Sequence, residues 1–253
     1  MSELQKKIAR ILRREGPAIG FGARVRETPK AMLLAALVRD EPSARAALDA
    51  GADAVVFRPD GATPPIAAIE ALKKDKITTG AWLAALNQET AIALAAAGCE
   101  FVVSTLDGTE STAVDGERMG HLLVASSELD DTTLRSLGPL GLEGLVVELP
   151  GGAMTLKEQL ALVRLASFSN TQLVVVVDPS AAVADLRVLR DSGAAAVISR
   201  DGSTPEQIKT LVESLRAVPP PRKGKEGREI ALVPSMAAAA AEEEEEEDDD
   251  FDE

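Results

Sequence analysis

Short apolar runs alternate with segments of helical periodicity along most of this chain. The runs are rich in Val, Leu, Ile and Ala and are apolar on both faces, which is typical of parallel strands that are covered on both sides. Each run is followed by polar turn residues and then by a helix-period segment. The eight predicted strands span residues 31–38, 52–58, 78–83, 100–105, 121–126, 142–148, 172–177 and 194–200.

The helices predicted between these strands complete a repeating unit of one strand and one helix. An amphipathic helix opens the chain within residues 1–16. Eight strand–helix units are the number that closes a (β/α)8 barrel, and right-handed crossover connections permit that closure. The sequence therefore predicts an α/β protein whose residues 1–218 form a TIM-type barrel, with a doubly wound open sheet as the alternative. The predicted helices are 42–50, 64–75, 87–97, 108–119, 130–137, 154–168, 180–191 and 204–217.

An internal repeat favours the barrel over the open sheet. Four glycines each end a helix and introduce an even-numbered strand: Gly51, Gly98, Gly141 and Gly193. Glycine adopts the left-handed conformation that stops a helix and turns the chain into the next element. The repeating unit is thus two strands and two helices, and four such units give eight strands.

Two of these junctions resemble a known group of barrels. The sequence LDAGADAVV at 48–56 and the sequence GAAAVIS at 193–199 are similar to the ribulose-phosphate-binding and class I aldolase-like barrels. The resemblance extends in pattern over residues 30–217. It implies the barrel fold and a phosphate site near the last two strands, and it implies no specific activity.

Composition and charge remove several classes of function. Aromatic residues make up 2% of the chain, so stacking platforms for bases or sugars are not expected. The formal charge is −14, but residues 242–253 hold eleven acids and no base. Subtracting these leaves −3 for the rest of the chain, which offers no basic face for nucleic acid.

Cysteine content and hydropathy bear on the cellular compartment. Cys99 is the only cysteine in the sequence, so an internal disulfide and a thiolate metal cluster are excluded. The amino-terminal segment lacks the continuous apolar stretch of a signal peptide, and no run approaches the roughly 18 apolar residues of a membrane span. We therefore expect a cytoplasmic protein without a membrane segment.

The repeat aligns the residues that end the even-numbered strands. Seven residues after each repeat glycine come Arg58, Thr105, Glu148 and Arg200. A charged residue that ends a buried strand is expected to face the barrel mouth, because an unpaired buried charge is costly. Two arginines and a glutamate converging there would bind a small anion, with Glu148 available for proton transfer. A structural salt bridge across the barrel top is the alternative.

A second carboxylate, Asp178, ends the strand next to that of Glu148. These two residues are the candidate catalytic acid and base. Together with Asp107, which follows the fourth strand, they also offer oxygen ligands for Mg²⁺. Capping of the following helices is the alternative role for such carboxylates. No other cofactor is indicated.

The turn after the eighth strand is the candidate phosphate site. Gly202, Ser203 and Thr204 stand there at the amino end of a predicted helix. Free N–H groups at a helix N-terminus attract anions, and Arg200 would complete the cradle. An ordinary N-cap explains the same residues. The loop at 178–180, Asp-Pro-Ser, departs from the resembled families, whose phosphate loops at that point are typically glycine-rich.

The predicted barrel mouth lacks the lysine, histidine and cysteine residues that several types of reaction require. No lysine lies at a predicted strand end, and Lys30 precedes the first strand, so a Schiff-base mechanism is disfavoured. The only histidine, His121, begins the fifth strand at the end opposite the mouth, where a structural role is expected. Cys99 enters the fourth strand at the same end and is expected to be a small buried hydrophobe.

From Pro219 the composition changes to a basic linker and then to polyalanine and acids. We expect residues 219–253 to form a disordered tail, because like charges repel one another. Two functions remain open. In the first, the barrel binds a small metabolite bearing a phosphate or carboxylate and acts as a lyase or isomerase. In the second, it is a non-catalytic scaffold that recruits a basic protein through the acidic tail. The oligomeric state is not indicated.

Overall fold

The computed structural model describes residues 2–12, 30–61, 63–126 and 128–219. Eight parallel strands pair in chain order, and the last pairs with the first, so the sheet closes into a barrel and the open sheet is excluded. Each predicted strand is confirmed to within two residues at either end. The strands are β1 (Leu33–Val38), β2 (Ala54–Phe57), β3 (Thr79–Trp82), β4 (Phe101–Thr105), β5 (Gly120–Val124), β6 (Gly144–Glu148), β7 (Gln172–Val177) and β8 (Ala194–Ser199).

Helices follow seven of the eight strands, and one further helix opens the chain. Side-chain N-caps are present at α2, α4, α5, α6 and α8. At α6, for example, the Thr155 side chain accepts a hydrogen bond from the backbone N–H of Glu158, which bonds back in a capping box. The helices are α1 (Glu3–Leu12), α2 (Glu41–Asp49), α3 (Ile66–Lys73), α4 (Gln88–Ala97), α5 (Asp131–Ser136), α6 (Leu156–Ser169), α7 (Val183–Asp191) and α8 (Pro205–Ala217).

The helix predicted at 108–119 is wrong. Only a 3₁₀ turn, Ser111–Ala113, forms there. Glycines near both ends of the segment and its Thr and Asp residues have low helix propensity. In addition, Thr109 bridges to Leu86 beside the loop that follows β3. A Cβ on Gly108 would lie 2.0 Å from the Ala84 carbonyl oxygen, so the chain passes too close to that loop for a side chain.

The four repeat glycines have the conformation that the sequence predicts. Their φ angles are +101°, +100°, +68° and +100° for Gly51, Gly98, Gly141 and Gly193. A side chain is strained in this region of backbone conformation, which explains why glycine stands at each helix-to-strand junction.

The barrel interior is filled by alternate residues of the strands. Phe101 is a fully buried ring among these side chains, and it occupies the space left by the neighbouring Gly80, where an added Cβ would lie 2.4 Å from its ring. At the strand-start end, which we call the floor, Leu4 and Ile8 of α1 join the same cluster and are buried. The floor is therefore closed by an apolar helix face, and access to the interior is left at the opposite end.

Some predictions fall outside the described residues. Residues 13–16 of the predicted opening helix and residues 220–253 of the predicted tail at 219–253 lie there, so the boundary at 218 and the disorder of the tail stay predictions. Within the described residues, none of the helices combines the length and the apolar character that a membrane crossing requires.

Candidate functional site at the barrel mouth

Four charged residues continue the inward-facing positions of their strands at the end we call the mouth. In each case the residue two positions earlier packs in the barrel interior, and side chains alternate along a strand. Continued alternation places the positions of Arg58, Glu148, Asp178 and Arg200 on the axis side of the strand ends. The interior residues that precede them are Val56, Val146, Val176 and Ile198.

Arg58 and Glu148 reach each other across the mouth. They follow β2 and end β6, which stand opposite one another in the closed eight-stranded order. The Nη1 atom of Arg58 lies 3.6 Å from Oε1 of Glu148, and their side chains are 45% and 51% exposed. An ion pair this long and this exposed adds little stability. Both groups therefore stay accessible from solvent at the centre of the mouth.

The ring of Trp82 supports the Arg58 guanidinium. The guanidinium carbon lies 4.9 Å from the ring centroid, within the range of a cation–π contact. Trp82 itself is buried at the end of β3. This contact holds the guanidinium over the ring of Trp82.

Arg200 and Asp178 form the other half of the mouth. An Nη2 N–H of Arg200 donates to the carbonyl oxygen of Leu149, at 3.2 Å. Asp178 accepts hydrogen bonds from the Ser180 hydroxyl at 2.5 Å and the Ser180 N–H at 2.9 Å. These bonds, and to a smaller extent the charge of Arg200, hold the pKa of the Asp178 carboxyl below its usual value. Asp178 is thus a carboxylate at neutral pH and is suited to a base or counter-ion role.

The turn after β8 uses its polar groups internally. The Thr204 hydroxyl accepts from the N–H of Gln207 as the N-cap of α8, and the Gln207 side chain bonds back to Thr204. The Ser203 hydroxyl donates to the Arg200 carbonyl oxygen at 2.5 Å. Gly202 has a φ of +77°, and its N–H bonds the Asp201 carboxylate. The capping role is present in the structure, and the phosphate role of these three residues stays a prediction.

The carboxylates considered for Mg²⁺ are not grouped as a metal site. Asp107 follows β4, Glu148 ends β6 and Asp178 follows β7. No cluster of three or more His, Cys, Asp or Glu residues that could hold a metal ion exists among the residues that the structure describes.

A further ionic network, which the sequence pattern did not predict, lies on the rim. Nη2 of Arg39, after β1, lies 2.6 Å from Oδ2 of Asp201, after β8, and its Nη1 lies 3.3 Å from Oδ1 of Asp60. The hydrogen bond from Arg39 holds the pKa of Asp201 below its usual range. The sequence does contain opposite charges just after β1, β2 and β8, and these strands are neighbours once β1 and β8 pair.

The residues assigned to the strand-start end are found there, away from the mouth. Cys99 is buried as predicted, and burial raises the pKa of its thiol to about 12, so the reactive thiolate is absent at neutral pH. His121 is also buried. Nζ of Lys30 lies 2.6 Å from Oδ2 of Asp53, just before β2, and none of the described lysines stands on a strand.

The architecture defines the protein as a closed (β/α)8 barrel. No protein-family model and no curated sequence matches the chain. Solved structures of similar fold exist, at low identity. Native KDPGal is 19% identical with a TM-score of 0.56, and the alignment covers 76% of this chain and 98% of that one.

Two other similar structures carry the names of synthases. Tryptophan synthase from M. tuberculosis is 11% identical with a TM-score of 0.62, covering 86% of this chain and 98% of that one. Dihydropteroate synthase from Vibrio fischeri is 12% identical with a TM-score of 0.54, covering 74% and 92%. The resemblance of the sequence to the aldolase-like barrels is thereby confirmed at the level of fold.

Proposed function

We propose that the mouth binds a small metabolite bearing a phosphate or carboxylate, and that Arg58 and Arg200 hold this anionic group. The observation that supports this proposal is that both guanidinium groups make few contacts, so most of their N–H donors stay available. Arg58 rests on Trp82 with one long contact to Glu148, and Arg200 donates to a single carbonyl oxygen. A guanidinium has five N–H donors and binds planar anions in a bidentate manner.

The same arrangement supports acid–base chemistry on the bound molecule. Glu148 stands beside Arg58 at the centre of the mouth, and Asp178 stands near Arg200 as an ionised carboxylate. In the proposed reaction one carboxylate removes a proton from carbon next to the anionic or carbonyl group, and the arginines stabilise the charge that develops. This is the chemistry of a lyase or an isomerase. The likeness to structures named tryptophan synthase and dihydropteroate synthase supports small-molecule chemistry in this fold.

Thermal unfolding in the presence of named anions tests the binding proposal. The probes are inorganic phosphate, glycerol 3-phosphate, phosphoglycolate and pyruvate, each titrated at constant ionic strength. A ligand at about 100 times its Kd adds roughly 2.7 kcal/mol to the free energy of unfolding. We expect at least one probe to raise the Tm, and we expect Arg58→Ala and Arg200→Ala to remove this increase.

Arg187→Ala is the matched control for these variants. Arg187 lies on α7, is similarly exposed and pairs with Asp191 outside the mouth. Its removal should leave the ligand-induced increase in Tm unchanged. Equal loss in all three variants would indicate nonspecific anion binding. If no probe shifts the wild type, and a basic protein is captured through residues 242–253, the scaffold alternative replaces the metabolite-binding proposal.

Hydrogen–deuterium exchange of the bound probe tests the chemical step separately. Pyruvate or phosphoglycolate, whichever raises the Tm, is incubated with protein in D₂O, and loss of its C–H signal is followed by NMR. General-base catalysis contributes about 10²–10⁴-fold, so Glu148→Gln should slow enzyme-dependent exchange by that order while the Tm shift persists. Asp178→Asn is the parallel variant. Exchange at the wild-type rate in both variants would refute the assignment of Glu148 and Asp178.

A further inference from the structure

The outer face of α6 is apolar, as its inner face is. On the inner face, Leu162 and Leu165 are fully buried in the core beneath the helix. On the opposite face, Leu156, Leu160 and Val163 are 83%, 69% and 41% exposed. A helix on the surface of a protein ordinarily presents charged and polar residues to solvent, with apolar residues confined to one stripe. Helix α6 therefore presents apolar side chains on two sides.

Helix α8 shows the ordinary arrangement at nearly the same length. It has 13 residues, against 14 in α6, and it buries Ile208, Leu211 and Leu215. None of the exposed large hydrophobic side chains found in the described residues belongs to α8. The apolar outer face is thus a property of α6 and is not shared by the other long helix of this barrel. The exposed long side chains of α8 are Glu206, Gln207, Lys209, Glu213 and Arg216.

The exposed apolar residues of α6 follow the spacing of a coiled-coil seam. Leu160 comes four residues after Leu156, and Val163 comes three residues after Leu160. Alternate steps of four and three keep side chains in line on one face of a helix, where they insert as knobs between the residues of a facing helix. The stripe formed by Leu156, Leu160 and Val163, which we call the α6 seam, therefore has the geometry that a second helix covers.

The α6 seam is large enough to form the core of a protein interface. Its three side chains expose roughly 300 Å² of apolar surface, the size at which a patch on a single chain is often functional. Two such seams facing each other would bury roughly 600 Å², and a polar rim around them would complete the total of about 1,200 Å² that a stable complex needs. A second copy of this chain is therefore an occupant of sufficient size.

The charges beside the seam offset one another, which favours a second copy over a strongly charged partner. Nε of Arg164 lies 2.6 Å from Oδ1 of Asp131, and Lys157 is followed directly by Glu158. These are two positive and two negative groups, so a strongly acidic or basic partner would meet no complementary net charge here. Two identical and nearly neutral faces can approach each other without the like-charge repulsion that suppresses wrong partners.

We propose that the α6 seam of one chain packs against the α6 seam of a second copy in a two-fold symmetric dimer. A two-fold axis brings the same patch of both copies together, so one self-complementary stripe is sufficient. The seam lies on the outside of the barrel, and neither Arg58 nor Glu148 belongs to it. The dimer is therefore independent of the ligand site proposed at the mouth.

Sedimentation equilibrium of the full chain over a series of protein concentrations tests the proposal. We expect the wild type to show a monomer–dimer equilibrium. Leu160→Glu should raise the dimer Kd at least about 100-fold, because two leucine side chains lose their burial and two like charges meet at the interface. Leu160 is mostly exposed in the single chain, so the variant should keep the far-UV circular dichroism of the wild type. Leu106→Glu is the matched control, because Leu106 is also exposed but follows β4, and it should leave the Kd unchanged.

Cross-linking between cysteines tests where the two copies touch. Cys99 is the only cysteine in the sequence, and burial raises the pKa of its thiol to about 12, so the wild type should react poorly with maleimides. Val163→Cys places an exposed thiol in the seam with little change in side-chain volume. A short bismaleimide should convert this variant to a covalent dimer. Glu213→Cys, on the exposed face of α8, is the control and should stay monomeric under the same treatment.

Three results would overturn the proposal. The first is a wild type that stays monomeric at every concentration at which it is soluble. The second is a dimer whose Kd rises no more in Leu160→Glu than in Leu106→Glu, because the contact would then lie elsewhere. The third is equal cross-linking of Val163→Cys and Glu213→Cys. A dimer that Leu160→Glu dissociates and that Val163→Cys traps supports the proposal.

Discussion

The two ends of this barrel are built from the same eight strands, yet their chemistry is opposite. At the floor, Leu4 and Ile8 of α1 close the interior over Phe101, and all three are buried. At the mouth, Arg58 and Glu148 face each other with about half of each side chain exposed. Buried apolar contacts at the floor contribute strongly to the free energy of unfolding. Solvent-exposed ion pairs at the mouth contribute little to it.

This difference predicts a separation of roles along each strand. Substitutions at the floor should lower the free energy of unfolding and leave ligand binding intact in the protein that remains folded. Substitutions at the mouth should change binding and leave stability nearly unchanged. The separation is the usual one for barrels of this type, in which the carboxyl ends of the strands carry function.

The largest expected effect is at Phe101 of the floor. Phe101→Ala removes a fully buried ring from the barrel interior, and the cavity left above Gly80 cannot close without moving strands. We expect a loss of about 3–5 kcal/mol in the free energy of unfolding, measured by urea denaturation. Phe168→Ala is the matched control, because Phe168 is only partly buried on α6 against Arg135. Equal losses in the two variants would contradict a floor that dominates stability.

A pH dependence of similar size should come from His121, near the start of β5. Its pKa is about 4 when folded and about 6.5 when unfolded, because burial disfavours the charged ring. Between these values the unfolded state binds more protons, so stability is full above pH 6.5 and falls as the pH drops toward 4. The shift corresponds to about 3 kcal/mol.

Comparison with a variant isolates this contribution from the carboxylates. Unfolding free energies of the wild type and His121→Gln are measured from pH 7 down to pH 4.5. The difference between the two proteins should change across this range in the direction that favours the variant at low pH. A difference that stays constant with pH would mean that the ring is not held neutral by burial.

A smaller loss is expected for the helix that closes the floor. Ile8→Ala removes buried apolar surface at the end of the barrel, where α1 can move more easily than a strand. We expect about 2 kcal/mol, the lower end of the range for core Ile→Ala changes. Arg10→Ala, on the exposed face of the same helix, should stay within about 0.5 kcal/mol. If Ile8→Ala had no effect, α1 would not contribute to closing the floor.

Local patterns in the sequence predicted the features that depend on residues close together in the chain. The strands follow from apolar runs, the junctions follow from glycines such as Gly51, and the inward direction of Arg58 and Glu148 follows from alternation along each strand. The network of Arg39, Asp60 and Asp201 could not be predicted in this way. It depends on loop conformations and on the pairing that β8 makes with β1, which bring together residues 162 positions apart.

The missing fourth helix has a comparable cause. Periodicity suggested a helix at 108–119, but the close approach of Gly108 to the loop after β3 decides the path of the chain. A cavity of about 50 Å³ between α4 and this segment is lined by Ala91, Ala113 and His121, and local patterns in the sequence did not predict it either. Position along a strand predicted that His121 stands at the end opposite the mouth, and the structure places it there, buried.

The smallest expected effect lies on the rim of the mouth, between Arg39 and Asp201. Their bidentate contact has good geometry, but the side chains are 55% and 30% exposed. A double-mutant cycle with Arg39→Gln and Asp201→Asn should give a coupling of about 0.2–1 kcal/mol, as exposed ion pairs usually do. The coupling should decrease between low salt and 1 M salt, because ions screen exposed charges. A coupling above about 2 kcal/mol that is insensitive to salt would mean that the rim stabilises the barrel as the floor does. Both ends of the barrel would then stabilise the fold. In that case, the weak pairing of charges at the mouth would no longer be a reason to assign Arg58 and Arg200 to ligand binding.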